Sequence, residues 1–394
     1  MQELHSRVGQ LNRKQRRGFT IVELLIVVVV IAILAAITIV AYNGVTSGAR
    51  EAALKSDLKN ASNQLELHLF HNNSLPADAS GLPKSEGTVY AYTSAGKTFC
   101  LEASHDALSG KIFHVTEKGD VVSGVCPPPP TTMQTFTGVH CSALPVYTGS
   151  NPSAIRSLTD SRGGTTRTYE IAKLADGKCW MLTNLKLGSA SGAITLTPAD
   201  SNVASNFTLP QLYGGTDSAQ RDYDNPKTYG PVPGDTGSGA TNYGYLYNWS
   251  AATAGESRTT MPAGSGNASH SICPAGWRLP TAGVYDISGW PYTLITPGDF
   301  SGLDIAFGGT GNYKENGEPN IAKWQPTGTF KGSFSGLWSG GFGAQGDAGH
   351  LWSASAYPDG PDGAFYAYFA PSGVLPGGAD VNRDLGLGVR CLLN

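Results

Sequence analysis

Charge is the first thing this sequence has little of. Asp, Glu, Lys and Arg make up 14% of its 394 residues, against roughly a quarter in an ordinary soluble domain. Its surface must therefore be wetted by Ser, Thr, Asn and backbone groups rather than by ions. A formal net charge of −3 leaves no basic footprint, so a nucleic-acid partner is not expected. The six cysteines never form a CxxC pair, and no zinc-site spacing occurs. GxSxG, HExxH and P-loop patterns are also missing. Tryptophan is absent before Trp180 although the chain has seven, and glycine is scarce before residue 127 although the chain has 51. The length allows two or three domains, and these asymmetries divide two differently built regions near residue 127.

Long apolar runs are likewise missing, with one exception. From Phe19 to Tyr42 the only charged side chain is Glu23, and a helix of that length, about 36 Å, is enough to cross a ~30 Å hydrocarbon core. Before it stand Arg7, Arg13, Lys14, Arg16 and Arg17 against Glu3, which predicts a cytoplasmic N-terminus with the rest of the chain outside. An ordinary secretory signal has its small-residue cleavage site after the apolar run; here Gly18 precedes it. Glu23 is costly inside a bilayer, roughly 2.5–3.5 kcal/mol at the centre. Either it lies near the interface and reaches water, or it has a partner. Cleavage after Gly18 would create an α-amino group on Phe19, and a neighbouring copy could offer that ammonium to Glu23. Only the second possibility accounts for both the charge and its distance from the glycine.

The string Arg16-Arg-Gly-Phe-Thr-Ile-Val-Glu23, with the apolar run behind it, resembles the class III signal of type IV prepilins and pseudopilins. The resemblance implies a leader of residues 1–18, cut by a prepilin peptidase between Gly18 and Phe19, with methylation of the Phe19 amine. It implies that Glu23 is the assembly glutamate, and that residues 19–42 sit in the inner membrane before packing against other pilin subunits.

The helix is expected to continue to residue 72. Leu54, Leu58, Ala61, Leu65 and Leu69 recur every three or four positions between charged residues. Gly44 and Gly48 mark a place to bend or melt, and Asn72, Asn73 and Pro76 stop the helix. Strand candidates at 88–93, 98–103, 111–115 and 120–125, separated by turn residues, predict a small antiparallel head over 73–126. Residues 127–132, Pro-Pro-Pro-Pro-Thr-Thr, read as a semi-rigid spacer.

From 133 onward the pattern changes. A hairpin is expected from Thr168–Ala172 to Cys179–Leu182, and 200–270, broken by Tyr243–Trp249, reads as long surface loops. Tyr243, Tyr245, Tyr247, Trp249, Tyr366 and Tyr368 alternate along presumed strands, a face that is more often core than sugar-stacking surface. The blocks Gly177-Lys-Cys-Trp-Met-Leu-Thr-Asn-Leu185, Cys273-Pro-Ala-Gly-Trp-Arg-Leu-Pro-Thr281, Leu351-Trp-Ser-Ala-Ser355 and Gly388-Val-Arg-Cys391 resemble the Fibrobacter-succinogenes-type major paralogous domain. That resemblance implies a C-type-lectin-like fold over 133–394, related also to formylglycine-generating enzymes, with no settled activity to carry over. The fold class expected for the whole is α+β: a long N-terminal transmembrane and assembly helix, a small antiparallel pilin head, then a β-rich, loop-rich lectin-like domain.

Six cysteines allow fifteen pairings in an exported chain. Chain order and domain division favour Cys100 with Cys126, Cys141 with Cys179, and Cys273 with Cys391. Other candidates for chemistry read more simply as structure. His68 and His71 stand three apart on the helix with no third ligand in view. His140 beside Cys141 would suit a thiol site, but a disulfide removes the nucleophile. Asp299 with Asp304, and Asp359 with Asp362, sit among Gly and Pro as turn residues do. Glu318-Pro319-Asn320 spells a tripeptide that sugar-binding C-type lectins use with Ca²⁺, and an exposed turn is the simpler reading. No catalytic residue, cofactor or metal is expected, Ca²⁺ being the one ion with any sequence signal. The chain reads as a minor or tip type IV pilin subunit presenting an adhesive domain to a surface ligand, a glycan being one class. The alternative is a pseudopilin of a type II secretion or DNA-uptake system. Expected localisation is single-pass in the membrane before assembly, then the cell surface.

Overall fold

Nothing between Ile21 and Asn72 forbids a helix: the stretch holds no proline, and its two glycines cost only about 1 kcal/mol each. The computed structural model, which describes residues 20–72, 74–95, 98–127, 130–315 and 318–394, shows one continuous 52-residue helix, α1 (Ile21–Asn72). It passes through Gly44 and Gly48 without a break and ends where Pro76 approaches. The chain divides into two units. One holds the chain up to Leu67 with Asp78–Thr93 and Cys100–Cys126; the other holds His68–Ala77, Ser94–Phe99 and Pro127–Asn394.

In the first unit the second half of α1 buries Leu54, Asp57, Leu58, Ala61, Ser62 and Leu65. The apolar members recur at the three- and four-residue spacing that puts them on one face. A four-stranded sheet, most of it in this unit, runs in the order β1 (Thr88–Ala95), β2 (Thr98–His105), β3 (Ile112–Thr116), β4 (Val121–Ser123). The pairs β2–β3 and β3–β4 are antiparallel. Alternation gives the sheet one apolar face, with Leu101, Ala103, Phe113 and Val115 buried. Buried Asp57 is satisfied by the Ser85 amide and the Ser85 and Thr88 hydroxyls at 2.8–2.9 Å. Cys100 and Cys126 are joined, closing the sheet at one end.

The second unit is built on two sheets. One has five strands, in the order Trp277–Arg278, Leu392–Leu393, β7 (Cys179–Met181), β6 (Arg167–Lys173), β5 (Arg156–Asp160). The β6–β7 hairpin pairs Ile171 with Met181 and Lys173 with Cys179. Its turn closes through Gly177 at φ 78°, a conformation glycine adopts without strain. The other sheet is four-stranded and antiparallel: Lys314–Glu315, Gly373–Asn382, Gly363–Ala370, Gly349–Ala356. All eight residues of Gly349–Ala356 are buried. Disulfides join Cys141 to Cys179 and Cys273 to Cys391. Thr131 and Thr132, which composition placed in the spacer, lie along β5: the Thr159 amide donates to the Thr131 carbonyl at 2.8 Å.

Residues 200–270 are irregular and largely exposed over 231–242 and 254–270, but they are not loop throughout. They carry the two- and three-residue strands Phe207–Leu209, Thr228–Tyr229 and Leu246–Tyr247 and the helix Trp249–Ala252. Tyr229, Leu246, Tyr247 and Trp249 have no exposed surface at all. Strands so short show no period, and their burial comes from remote segments: the Trp249 indole donates to the Ser353 carbonyl at 2.9 Å. The aromatics of 243–249 accordingly do not alternate along one strand, which spans only Leu246–Tyr247. Tyr243, Tyr247 and Trp249 belong to the core, while Tyr245, Tyr366 and Tyr368 are half-buried.

Candidate functional site

The N-terminal half of α1 is a continuous exposed apolar surface. Ile21, Leu24, Leu25, Ile26, Ile31, Ile33 and Leu34 are all more than half exposed, and no charge occurs between Leu24 and Ala49. The helix is long and apolar enough to cross a membrane. Its polar side chains do not interrupt that surface. The Thr38 hydroxyl donates back to the Leu34 and Ala35 carbonyls at 2.9 Å, and Thr46 does the same toward Tyr42 and Asn43. Each hydroxyl is thus satisfied within the helix, as a hydrocarbon environment requires.

At the start of α1, Thr20 and Glu23 form a reciprocal cap. The Thr20 amide and hydroxyl donate to Glu23 Oε2 at 2.9 and 2.8 Å, and the Glu23 amide donates to Thr20 Oγ1 at 3.2 Å. This arrangement satisfies amides that a helix terminus leaves unpaired and sets a carboxylate where the helix dipole favours it. Sequence reasoning singled out Glu23 but not its partner, although Thr20-Ile-Val-Glu23 spells the capping-box spacing. Gly18 and Phe19 lie outside the described residues.

All six cysteines are in disulfides, so a thiol mechanism has no reduced cysteine to use, His140 beside Cys141 included. Asp299 and Asp304 are not turn residues: both lie on the helix Asp299–Ala306, and each is buried and multiply hydrogen-bonded. Asp299 accepts from Lys178, Arg278 and Thr281 at 2.6–3.0 Å. Burial pushes its carboxyl up, but those donors, Arg278 foremost, hold it well below the usual carboxylate range. Asp304 goes the other way: burial raises it despite donors from Asn320, Gly311 and Trp324. Asn320 is consequently a buried part of this packing rather than an exposed turn, its amide 2.7 Å from Asp304 Oδ1. Glu318 faces Lys314 at 3.8 Å, so the two side chains of the lectin-like tripeptide are engaged by different partners. Among the described residues no three His, Cys, Asp or Glu side chains gather as a metal site would need. Asp362 pairs with Arg258 at 3.0 Å on the surface, and His68 lies near the end of α1, its Nδ1 2.9 Å from the Ser74 carbonyl.

The second unit has a cleft of about 440 Å³ beside the hairpin Gly283–Asp286/Thr293–Pro297, with Asn267, Thr281, Tyr285, Ser355 and Phe365 in its walls. Its polar groups hold one another: Ser355 Oγ donates to Asn267 Oδ1 at 2.6 Å and accepts from the Ala282 amide at 2.9 Å. Of its hydroxyls, that of Thr281 donates to Asp299, a carboxylate already held by Lys178 and Arg278.

Residues 13–39 match the family described as the prokaryotic N-terminal methylation motif. Comparison with curated proteins and with solved structures finds no match. The motif, the apolar helix behind it and the disulfide-bonded β-rich units together fit a membrane-anchored, pilin-like structural subunit. The motif implies processing by a prepilin peptidase and assembly with other pilin-like subunits.

Proposed function

We propose that this chain is a minor or tip subunit of a type IV pilus, assembled through α1 and displaying its second unit as an adhesive, lectin-like module. The observation that carries the reading is the exposed apolar half of α1 with a single carboxylate in its first turn, behind a methylation motif. Cleavage between Gly18 and Phe19 gives the helix a free amine, and Glu23 of an adjoining subunit is the carboxylate within a helical turn of the corresponding position. The Thr20 cap pre-orients that carboxylate at the helix start. Residues 133–394 then form a display unit too large to be carried by every subunit of a shaft, which favours low stoichiometry and a terminal place.

The test combines three changes in producing cells. Gly18→Glu is expected to leave the leader uncut, and Glu23→Gln to give a cleaved subunit that fails to enter filaments. Deletion of 133–394 is expected to leave filament assembly intact and abolish surface adhesion. Filaments with the subunit at high stoichiometry along their length would sink the tip assignment. Normal adhesion with impaired export or DNA uptake after the deletion would assign the chain to a pseudopilin instead.

A further inference from the structure

Six of the seven tryptophans, Trp180, Trp249, Trp277, Trp324, Trp338 and Trp352, are fully buried. Every one of them donates its indole N–H to a carbonyl or carboxylate at 2.6–3.2 Å. Trp290 alone departs from this. It stands 61% exposed in the loop joining Gly283–Asp286 to Thr293–Pro297, and its indole N–H has no hydrogen-bond partner among the described residues. Exposing a tryptophan forfeits the largest single burial gain a side chain can offer. This chain buries the residue everywhere else.

Trp290 is not solitary. Tyr292 packs edge-on at 5.3 Å and Tyr313 lies tilted at 6.1 Å, while the Tyr292 ring stacks on Tyr357 at 6.3 Å. The Tyr292 hydroxyl donates to Asp380 Oδ1 at 2.9 Å and lies 3.0 Å from the Tyr357 hydroxyl. Tyr357 in turn meets Phe365 edge-on at 5.5 Å, and Phe365 is in the wall of the 440 Å³ cleft. Rings with polar rims thus run from an exposed indole to a concavity lined by Asn267, Thr281 and Ser355.

The geometry points to a neutral saccharide-binding platform at Trp290, Tyr292 and Tyr313, with Asp380 as hydroxyl acceptor and the adjoining cleft receiving the next sugar units. It deepens the adhesive reading, on which it rests. A pyranose ring offers an apolar C–H face that lies on an indole and a rim of hydroxyls that needs donors and acceptors. This surface presents both, whereas a protein partner's anchor would call for a deep apolar pocket. The carboxylates of Asp286 and Asp380 disfavour an anionic glycan, and the neighbouring cation, Lys314, faces Glu318. Its aromatic rings are held by one another, so little side-chain entropy is lost on binding.

The test uses the full chain in detergent micelles with four probes: cellohexaose, chitohexaose, mannohexaose and a heparin-derived hexasaccharide. Trp290 is the accessible indole, so saccharide binding should protect the fluorescence from acrylamide quenching. At least one neutral hexasaccharide is expected to bind by calorimetry. Trp290→Ala should weaken it about tenfold or more and Tyr292→Phe a few-fold, while Trp290→Tyr, which keeps a ring, recovers most of the affinity. Unchanged unfolding of the variants shows that the exposed position does not govern folding. Binding by none of the neutral probes, binding by the heparin fragment alone, or full affinity in Trp290→Ala would each overturn the platform. Adhesion separates this from the wider reading. Loss of adhesion on deleting 133–394 with Trp290→Ala still adherent fails the platform only, and adhesion unaffected by the deletion fails the adhesive reading.

Discussion

At the scale of single residues, Asp299 shows how a low-charge protein spends its few ions. Both carboxylate oxygens are engaged, Oδ1 by Lys178 and Arg278 and Oδ2 by Arg278 and the Thr281 amide and hydroxyl, at the first residue of a helix whose dipole favours a negative charge there. Its folded carboxyl titrates below the ordinary range. The unfolded chain therefore binds more protons as pH falls, and the stability Asp299 contributes is present above the ordinary carboxylate pKa of about 4 and lost below it. Asp299→Asn is expected to cost about 2 kcal/mol at pH 7, discounted because Lys178 and Arg278 are partly in water. In denaturant titrations the gap between wild type and variant should close as pH falls toward 2; a constant gap would show that the carboxylate's charge contributes nothing. Arg390 is the complementary case, fully buried with three neutral acceptors, Asn184 Oδ1 and the Phe330 and Lys331 carbonyls. Burial pulls its pKa down to about 9. Neither role was legible in the sequence. Asp299 sits beside a glycine and a proline, where turns place aspartates for their own reasons, and its partners are 18 to 121 positions away.

At the scale of elements, α1 carries two glycines where it needs none for packing. A β-carbon at Gly44 or Gly48 would meet nothing within 4 Å. Alanine at both positions should add about 1 kcal/mol of helix propensity apiece, raising the helicity of a peptide spanning residues 40–72 as read by circular dichroism. An unchanged helicity would mean that neighbouring residues already hold the segment fully helical. If filament entry falls in the double variant while helicity rises, the glycines serve assembly through pliancy rather than fold. Periodic elements were the ones the sequence disclosed. Of the stripe Leu54, Leu58, Ala61, Leu65 and Leu69 the first four are buried and Leu69 is half-buried, and the expected strand at 88–93 lies within Thr88–Ala95. The expected hairpin forms as β6 and β7. What escaped was aperiodic: strands of two or three residues such as Phe207–Leu209 and Thr228–Tyr229, the second pairing with Leu246–Tyr247, in a glycine- and serine-rich stretch that composition alone assigns to solvent. The Trp290 platform escaped for the same reason, because Trp290 with Tyr292, Tyr313 and Asp380 come from three separate segments.

At the scale of the whole molecule, the last residues complete the second unit's main sheet. Leu392–Leu393 lies between Trp277–Arg278 and β7, and the Cys391 disulfide reaches back 118 positions to Cys273. Such long-range closure makes the unit's folding depend on contacts of high sequence separation, and a loop of that size gives a disulfide more unfolded-state entropy to remove than the 26-position Cys100–Cys126 loop of the first unit. Replacing both Cys273 and Cys391 by serine is therefore expected to destabilise the second unit by about 4–5 kcal/mol, and replacing Cys100 and Cys126 the first unit by about 3 kcal/mol. Deleting Leu392–Asn394 removes a strand from within a five-stranded sheet, with the burial of Leu392 and Leu393, and should leave the second unit unfolded. Hydrogen exchange on the full chain reads both units at once. Protection across Cys179–Met181 and Gly349–Ala356 should vanish in the deletion variant, while Leu54–Leu65 of α1 exchanges as slowly as before. Loss of protection in the second unit and in Leu54–Leu65 alike would mean that the units fold as one cooperative body. Protection retained in both would mean that the terminal strand is dispensable. Only the split outcome fits a pilin-like unit able to fold, anchor and assemble independently of the second unit.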